Sequence, residues 1–262
     1  MNYVNPIESL ICLLPWQKHD PTCIKIPTPI ATESLFAKRN PLWKRGFDLF
    51  ASLCGIIFLS PLLLTIAIFI LTVSPGPILF KQKRVGRGGK LFTLLKFRTM
   101  HLNADTSIHK DYLQKLISSG QGGTDPGDPM KKLTNDTRII KYGNLLRSSG
   151  LDELPQLINV LMGRMSLVGP RPPIPYEVRE YPPWYSARFD VLPGLTGLWQ
   201  VSGKNKLGFN EMIRLDIQYA MKRSLLLDLK ILMKTPYAVL GQVIELLQKR
   251  STIQLKPYTD RR

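Results

Sequence analysis

An uncharged run from Leu49 to Val73 constrains this chain more than any other feature of its sequence. As continuous helix the run would extend roughly 37 Å, which exceeds the thickness of the hydrocarbon core of a bilayer. It therefore predicts a helix in a membrane. Ser60-Pro61 lies in the middle of the run, where proline removes a backbone donor and clashes with the preceding turn, so we expect a break there.

Basic residues flank the run on both sides, and both groups favour the cytoplasmic face of a membrane. They are Lys38, Arg39, Lys44 and Arg45 before the run and Lys81, Lys83, Arg84, Arg87 and Lys90 after it. A spanning helix would put one group on the wrong side, whereas a helix that bends at Ser60-Pro61 and returns satisfies both. The serine hydroxyl can also bond a carbonyl that the proline leaves free. These features favour a re-entrant helix over a spanning one.

The net charge of the 262-residue chain is +17, which points to a polyanionic partner such as nucleic acid, anionic lipid or a phosphorylated substrate. Its cysteines, Cys12, Cys23 and Cys54, are odd in number and widely spaced. They indicate neither a disulfide framework nor a zinc site, and they fit a reducing, cytosol-facing location.

The rest of the pattern predicts a mainly α fold with a short β-hairpin, in the α+β class. Residues 78–98 form two short strands around a glycine-rich turn at Gly86, Gly88 and Gly89. Helical periodicity follows at Ile139, Ile140, Leu145 and Leu146, and again at Leu154, Leu157, Ile158 and Leu161. On either side of Pro236, apolar faces interrupted by Lys and Arg fit either interfacial amphipathic helices or helices packed on the core.

These features divide the chain into four parts. Residues 1–40 form an N-terminal extension of unknown role, and residues 41–74 form the membrane helix. Residues 75–235 form a cytosolic catalytic domain. Residues 236–262 form a C-terminal amphipathic helix and tail.

Two adjacent carboxylates, Asp152 and Glu153, stand at the start of an apolar-periodic segment that has Pro155 in its first turn. Aspartate is among the favoured N-cap residues, so a capping role is the more common interpretation of Asp152 taken alone. A helix N-terminus also keeps a carboxylate ionised and attracts phosphate groups, and the two roles can coexist.

Arg147 and Arg171 accompany these carboxylates. Carboxylates beside arginines suit phosphoryl chemistry, because one can attack phosphorus or hold Mg²⁺ while guanidinium groups neutralise the phosphate oxygens. Prolines around Arg171 and a tight turn at Gly169 hold this arginine at low entropic cost. An arginine flanked by prolines is otherwise most often part of a surface turn.

Four segments closely resemble the bacterial sugar transferase family, the monotopic phosphoglycosyl transferases that initiate exopolysaccharide and related glycan assembly. They are SPGPILFKQKRVGRGG (74–89), KFRTM (96–100), LDELPQLINVLMGRMSLVGPRP (151–172) and PGLTGLWQVSGKN (193–205). Four motifs in the order of the family are far more specific than a lone glycine pattern.

The resemblance implies a reaction in two steps. Asp152 would attack the β-phosphate of a UDP-sugar and expel UMP, and undecaprenyl phosphate would then take the sugar phosphate from the aspartyl intermediate. Glu153 would bind Mg²⁺, the one cofactor that we expect. Further substrate-binding positions implied by the motifs are Lys96, Arg147, Arg171, Pro172, Gly194, Thr196, Gln200 and Asp228. For Asp228 a solvated surface position is the alternative.

The resemblance also implies a membrane helix broken at Ser60-Pro61. The protein would then be monotopic on the bacterial inner membrane, with its catalytic domain in the cytoplasm and its basic surface against anionic lipids. The sequence identifies neither the sugar, nor the glycan pathway, nor the oligomeric state.

Two other classes of protein fit part of the sequence. A glycosyl transferase that moves the sugar alone would release UDP instead of UMP. A non-catalytic basic protein on nucleic acid or anionic membrane would account for the net charge, but not for Asp152 and Glu153. The basic hairpin is also poor in aromatic residues, on which single-stranded nucleic acid would stack, so we expect no nucleic-acid partner.

Overall fold

The uncharged run lies in one long helix, α1 (Leu42–Val73), in a computed structural model that describes residues 40–101, 138–203 and 207–254. Residues 1–39 of the predicted extension lie outside this range. Among the described residues, α1 is the one helix long and apolar enough to cross a membrane, and 11% of its most apolar window is buried. So little burial distinguishes α1 from the core helix of a soluble domain.

The helix continues through Ser60-Pro61, where we expected a break. Because Pro61 has no N–H, the carbonyl of Ile57 four residues earlier loses its helical donor. The Ser60 hydroxyl donates to that carbonyl at 2.8 Å. The predicted role of the serine is therefore confirmed, and it explains how the helix tolerates the proline.

Polar side chains tie the first turns of α1 to the body of the protein. Lys44 Nζ lies 2.5 Å from Asp228 Oδ2, and both side chains are buried. Arg45 donates to the carbonyl oxygens of Val160 and Leu161 at 2.7 and 2.8 Å. We expected both cations to act as flanking charges at the membrane surface. Instead they are turned inward, because a buried carboxylate and the carbonyls of a helix end receive them.

The last turns of α1 are tied to the same body. Arg98 is 3% exposed and donates to the carbonyl oxygens of Ser74 and Pro75, directly after the helix. Ile66 and Ile70 are buried in an apolar cluster with residues of the body. Both ends of α1 therefore contact one globular body, while much of its middle is exposed.

The predicted hairpin is confirmed. Strands β1 (Leu79–Val85) and β2 (Leu91–Phe97) pair antiparallel over their full length. In the turn between them, Gly88 and Gly89 have φ angles of 63° and 78°, which glycine adopts without a steric cost.

Short helices and turns make up most of the remaining body. In chain order they are a 3₁₀ turn at Arg87–Gly89, α2 (Gly143–Ser148), a 3₁₀ turn at Leu151–Glu153, α3 (Gln156–Leu161), α4 (Pro175–Arg179), a 3₁₀ segment at Pro183–Asp190, α5 (Leu198–Val201) and α6 (Phe209–Lys222). The helix predicted from Ile139 and Ile140 is wrong at those two residues. Their backbone lies against residues 99–101 in extended pairing, and the Ile140 N–H bonds the Thr99 carbonyl at 3.1 Å.

A second two-stranded sheet, which the sequence did not predict, joins β3 (Ser166–Val168) and β4 (Gly194–Thr196) in parallel. Beyond β3 the chains come so close that a Cβ on Gly194 would lie 2.0 Å from the Gly169 nitrogen. Packing therefore requires glycine at position 194. This pairing fixes the segment 169–173 that follows β3.

The C-terminal helix α7 (Leu225–Gln254) runs through Pro236, so no helix boundary falls at the predicted limit between residues 235 and 236. Asp228 and Ile231 are buried against the body. An apolar stripe is exposed: Leu226, Leu229, Met233, Tyr237, Leu240, Ile244 and Leu247. Spacings of three and four residues place this α7 stripe on one side of the helix. The fold is thus mainly α with a small antiparallel hairpin, as predicted.

Candidate active site

Asp152 and Glu153 lie in the carboxylate turn, the 3₁₀ turn Leu151–Glu153, directly after Gly150 in a left-handed conformation (φ 70°). Helix α3 begins further on, with Pro155 as its N-cap residue and no side-chain cap. The capping interpretation of Asp152 is therefore wrong. The turn, and not a helix start, determines where this carboxylate points.

Asp152 is 6% exposed. Burial raises the pKa of its carboxyl to about 6, although the charges of Lys96 and Arg147 act in the opposite direction. Glu153 raises the pKa further. We expected positive potential to keep this group ionised at any ordinary pH, but burial outweighs it. A carboxyl group with a pKa this high remains mostly ionised at neutral pH, and such shifts are typical of functional sites.

Lys96, at the end of β2, reaches the carboxylate turn: its Nζ lies 2.5 Å from Glu153 Oε1. Asn159 of α3 is fully buried and holds this strand. Its amide donates to the Thr93 carbonyl at 2.8 Å and its oxygen accepts from the Leu95 N–H at 3.0 Å. Asn159 was not among the residues predicted from the sequence. It could have been found as an amide among the apolar positions of a helix, because a buried amide requires polar partners.

Arg171 extends from the segment 169–173, and its side chain is exposed. A buried ion pair fixes its backbone, since Arg188 Nη2 lies 2.5 Å from Asp216 Oδ2 and donates to the Arg171 carbonyl at 2.8 Å. Burial raises the pKa of Asp216 to about 7, although Arg188 and Arg171 act in the opposite direction. The prolines predicted a rigid segment correctly, but the parallel strand pairing and this ion pair also hold it.

Arg84 of β1 was predicted to be one of the charges that flank the membrane helix, yet it lies beside Arg171. It is 7% exposed, and its Nη1 donates to the Pro172 carbonyl at 3.0 Å. Its Nε and Nη2 donate to Gln82 Oε1 at 3.1 and 2.7 Å. The predicted residue Pro172 is itself buried and contributes its carbonyl. The strand alternation, which puts Arg84 and Gln82 on one face, was the available signal.

The other predicted positions near β4 are part of the interior. Thr196 Oγ1 lies 2.9 Å from Thr235 Oγ1 on α7. Because Thr235 donates to the Ile231 carbonyl, Thr196 is the donor of that contact. Gln200 Oε1 is buried, and no described residue bonds it. Gly194 and Thr196 thus join β4 to its neighbours, and within the described ranges no hydrogen bond connects either residue to the carboxylate turn.

Asp228 is fully buried, so the solvated-surface alternative is wrong. Lys44 contacts one of its oxygens, and the Tyr219 hydroxyl donates to the other at 2.7 Å. Tyr219 also lies 2.9 Å from the Val168 carbonyl. These contacts place Asp228 in an ion pair that joins α1 to α7.

The carboxylate turn fits a Mg²⁺ ion that arrives with a phosphate group. Such an ion takes one or two carboxylates from the protein and its other ligands from phosphate and water. No three metal-binding side chains gather anywhere in the described ranges. Two carboxylates are nevertheless adjacent here, and the Glu153 side chain is 39% exposed. A site of this composition suits ligand-assisted binding and does not form an all-protein cage.

The site contains a buried carboxylate, a second and accessible carboxylate paired with a lysine, and nearby arginines. Such a site can bind and activate phosphate esters. The site belongs to the same body that contacts both ends of the exposed apolar helix α1. Fold and site together fit the class of membrane-associated enzymes that act on phosphorylated compounds. Within that class, the chain belongs to the bacterial sugar transferase family, whose sequence profile matches residues 39–242.

Three relatives illustrate the similarity. The exopolysaccharide production protein ExoY of Sinorhizobium fredii is 38% identical over 196 residues, which cover 75% of this chain and 84% of ExoY. The undecaprenyl-phosphate galactose phosphotransferase of Salmonella typhimurium is 39% identical over 205 residues, 78% of this chain and 42% of that protein. The UDP-glucose:undecaprenyl-phosphate glucose-1-phosphate transferase of Caulobacter vibrioides is 40% identical over 204 residues, 74% of this chain and 68% of that protein. The chain thus spans most of ExoY but less than half of the Salmonella protein.

Proposed function

We propose that this chain transfers a sugar 1-phosphate from a UDP-sugar to undecaprenyl phosphate, and so initiates synthesis of an exopolysaccharide or a related glycan. The observation that carries the proposal is the buried Asp152 carboxylate, with Glu153 adjacent and Lys96 and Arg147 in its electrostatic surroundings. The names of the Salmonella and Caulobacter relatives support both substrate classes.

The reaction has two displacements at one phosphorus. A carboxylate oxygen of Asp152 bonds to the β-phosphorus, the bond from that phosphorus to the bridging oxygen breaks, and UMP leaves with the oxygen. A phosphate oxygen of the lipid then bonds to the same phosphorus, and the bond to Asp152 breaks. The products are the lipid diphosphate sugar and the free carboxylate. A covalent intermediate suits the two substrates, because one is soluble and the other lies in the membrane.

Each charged residue of the site has a role in this scheme. Burial strips water from Asp152, which makes its ionised form a better nucleophile, while the cations keep it ionised near neutral pH. Lys96, Arg147 and Arg171 neutralise charge on the phosphate oxygens as the phosphorus changes partners. The fixed backbone of Arg171 and the Asn159 contacts to β2 hold two of these cations before substrate arrives.

Mg²⁺ is the cofactor that fits this chemistry. Glu153 would hold it together with oxygens of the donor diphosphate, and the ion would supply charge neutralisation on the departing phosphate. Lys96 pairs with Glu153 and compensates its charge in the absence of the ion.

For the membrane helix we propose a re-entrant course with the catalytic body in the cytoplasm of a bacterial cell. The support is the double attachment of α1, because a body that contacts both ends of a helix lies on one side of the bilayer. Tags fused at residues 1 and 262 should both be found in the cytoplasm. A periplasmic tag at either position would contradict this topology.

The α7 stripe supports a second membrane contact. Its exposed apolar side chains suit the interface between headgroups and acyl chains, and the charge of +17 suits anionic lipids. The body would then rest on the inner membrane, where the lipid phosphate of the acceptor lies.

The decisive experiment identifies the nucleotide that is released. Purified protein is incubated with Mg²⁺, undecaprenyl phosphate and one UDP-sugar at a time from a panel, and the products are separated. We expect UMP in amounts equal to the lipid-linked sugar diphosphate, for one or a few of the sugars. Release of UDP would instead identify a glycosyl transferase, and release of neither nucleotide would contradict the proposal.

A further inference from the structure

Arg84 is a buried cation with neutral hydrogen-bond acceptors. Burial of a charged side chain usually requires an ion pair, because desolvation is costly. Within the described ranges no carboxylate forms an ion pair with Arg84, whose three hydrogen bonds go to Gln82 and the Pro172 carbonyl. Arg188, which is also buried, has Asp216 as its partner. The two buried arginines therefore differ in whether a carboxylate compensates their charge.

The surroundings of Arg84 add positive charge. The residue that precedes its carbonyl acceptor is Arg171, and the Val85 N–H bonds the next carbonyl, that of Pro173, at 3.0 Å. Burial and then the Arg171 charge lower the pKa of Arg84 to about 10, while Glu177 and Glu153 raise it. The guanidinium still remains charged at neutral pH.

The hairpin register relates Arg84 to the carboxylate turn. Phe80 lies opposite Lys96, and four residues further along β1 Arg84 lies opposite Phe92. Cross-strand partners share a face, so Arg84 and Lys96 lie on the same face, about 13 Å apart along the strand. Lys96 contacts Glu153 from that face.

A guanidinium has five N–H donors, and the three bonds of Arg84 leave one N–H on each terminal nitrogen. Two such donors match the oxygens of a phosphate group. We infer that Arg84 and Arg171 together form a phosphate-binding subsite on the face of the hairpin that carries Lys96. The inference rests on the proposed function for the source of the phosphate, which is either the diphosphate of the UDP-sugar or the phosphate of the polyprenyl acceptor.

The test uses Gln82→Glu, which keeps the size of the side chain and gives Arg84 the carboxylate partner that it lacks. If Arg84 has a structural role alone, this new ion pair leaves activity unchanged and stability equal or higher. If Arg84 binds phosphate, the carboxylate competes with the ligand, and affinity falls roughly 10–100-fold at undiminished thermal stability. Lys83→Gln is the matched control, because it changes the net charge by the same amount at an exposed residue on the opposite face.

The measurements are calorimetric binding of UDP, and KM for the UDP-sugar and for undecaprenyl phosphate. Weaker UDP binding with a higher UDP-sugar KM in Gln82→Glu supports a donor subsite, and a higher KM for the lipid alone supports an acceptor subsite.

Arg84→Lys, which keeps the charge but loses the paired N–H donors of the guanidinium, should shift the same constant if Gln82→Glu does not fold. Unchanged constants in a folded variant, or equal effects in Lys83→Gln, would overturn the subsite. If the wild type binds UDP and Gln82→Glu binds it more weakly, but the wild type releases no UMP from any UDP-sugar, the proposed reaction is overturned. The subsite is then still supported. Failure of the wild type to bind either ligand would overturn both.

Discussion

The Lys44–Asp228 and Lys96–Glu153 pairs have the same separation of 2.5 Å between nitrogen and oxygen, but they differ in burial. The side chains of the first pair are 2% and 1% exposed, and those of the second are 21% and 39% exposed. Breaking a buried pair leaves an uncompensated charge in the interior, whereas water and ligands can replace either member of an accessible pair. Loss of one member of the first pair therefore destabilises the fold, and the second pair remains available for chemistry.

The largest effect that we expect concerns Asp152, beside the accessible pair. Asp152→Asn keeps the shape of the side chain and removes a carboxyl group with a raised pKa, so thermal stability should change little. Turnover should fall by more than the roughly 10³-fold typical of losing one electrostatic donor, because an amide is a very poor nucleophile. Wild-type protein mixed with labelled UDP-sugar and Mg²⁺ should carry label on a peptide containing Asp152, and undecaprenyl phosphate should discharge it. Label that persists in the Asn variant would refute the assignment.

The same substitution at each lysine tests whether the two ion pairs differ in this way. Lys44→Met should lower the free energy of unfolding by about 3–5 kcal/mol, because Asp228 stays buried without its partner. Lys96→Met should lower it by about 1 kcal/mol or less, but should reduce turnover. Thermal unfolding in nanodiscs and UMP release per folded molecule measure the two effects.

The double variant Lys44→Met with Asp228→Leu is the control for the buried pair. An apolar pair of similar volume should recover most of the lost stability. Equal destabilisation by Lys44→Met and Lys96→Met would contradict the distinction between the two pairs.

A smaller effect is expected for Glu153→Gln, which keeps the size of the side chain but removes the charge that would hold Mg²⁺. The Mg²⁺ concentration for half-maximal activity should rise at least about tenfold, with partial recovery of activity at high Mg²⁺. Titration of UMP release with Mg²⁺ checks this. An unchanged titration curve would assign the metal to another carboxylate, and Asp228 is then a poor candidate, because both its oxygens contact protein groups.

The smallest effect is the pH dependence of turnover. In the proposed reaction Asp152 attacks in its ionised form, and its pKa is about 6, so activity should decline as the pH falls through that value. At pH 5 about one-tenth of the carboxyl groups are ionised, which predicts a roughly tenfold lower kcat/KM. Arg147→Gln removes a charge that lowers this pKa, so it should move the acid limb to higher pH. A flat profile between pH 5 and 7 would contradict the raised pKa.

The parts of the fold that sequence analysis predicted are those that local patterns encode. A glycine turn between alternating strands predicts a hairpin, and an uncharged run predicts the membrane helix. The parallel pairing of β3 and β4 has no such pattern, because two three-residue strands are joined across a long stretch of chain. Capping was the alternative interpretation of Asp152, since Asp-Glu before Pro155 is typical of a helix start, but a 3₁₀ turn comes first.

The site divides in the same way. Asp152, Glu153, Lys96 and Arg171 were predicted because motifs contain them. Arg84 and Asn159 were missed because their importance lies in what they contact across the fold, and a basic residue in a basic segment or an amide in a helix carries no local mark of those contacts. Lys44 was assigned to the membrane surface for the same reason.

Lys44 and Asp228 are separated by 184 positions in the chain, which has a consequence during synthesis. At 5–20 residues per second, roughly 10–40 s pass between the appearance of the lysine and that of its partner. Throughout that interval Lys44 lacks its carboxylate partner, while the apolar run of α1 has already been made. A lysine beside such a run is the kind of charge that orients insertion into a membrane. The attachment of α1 to α7 through this ion pair therefore forms only after most of the chain has been made.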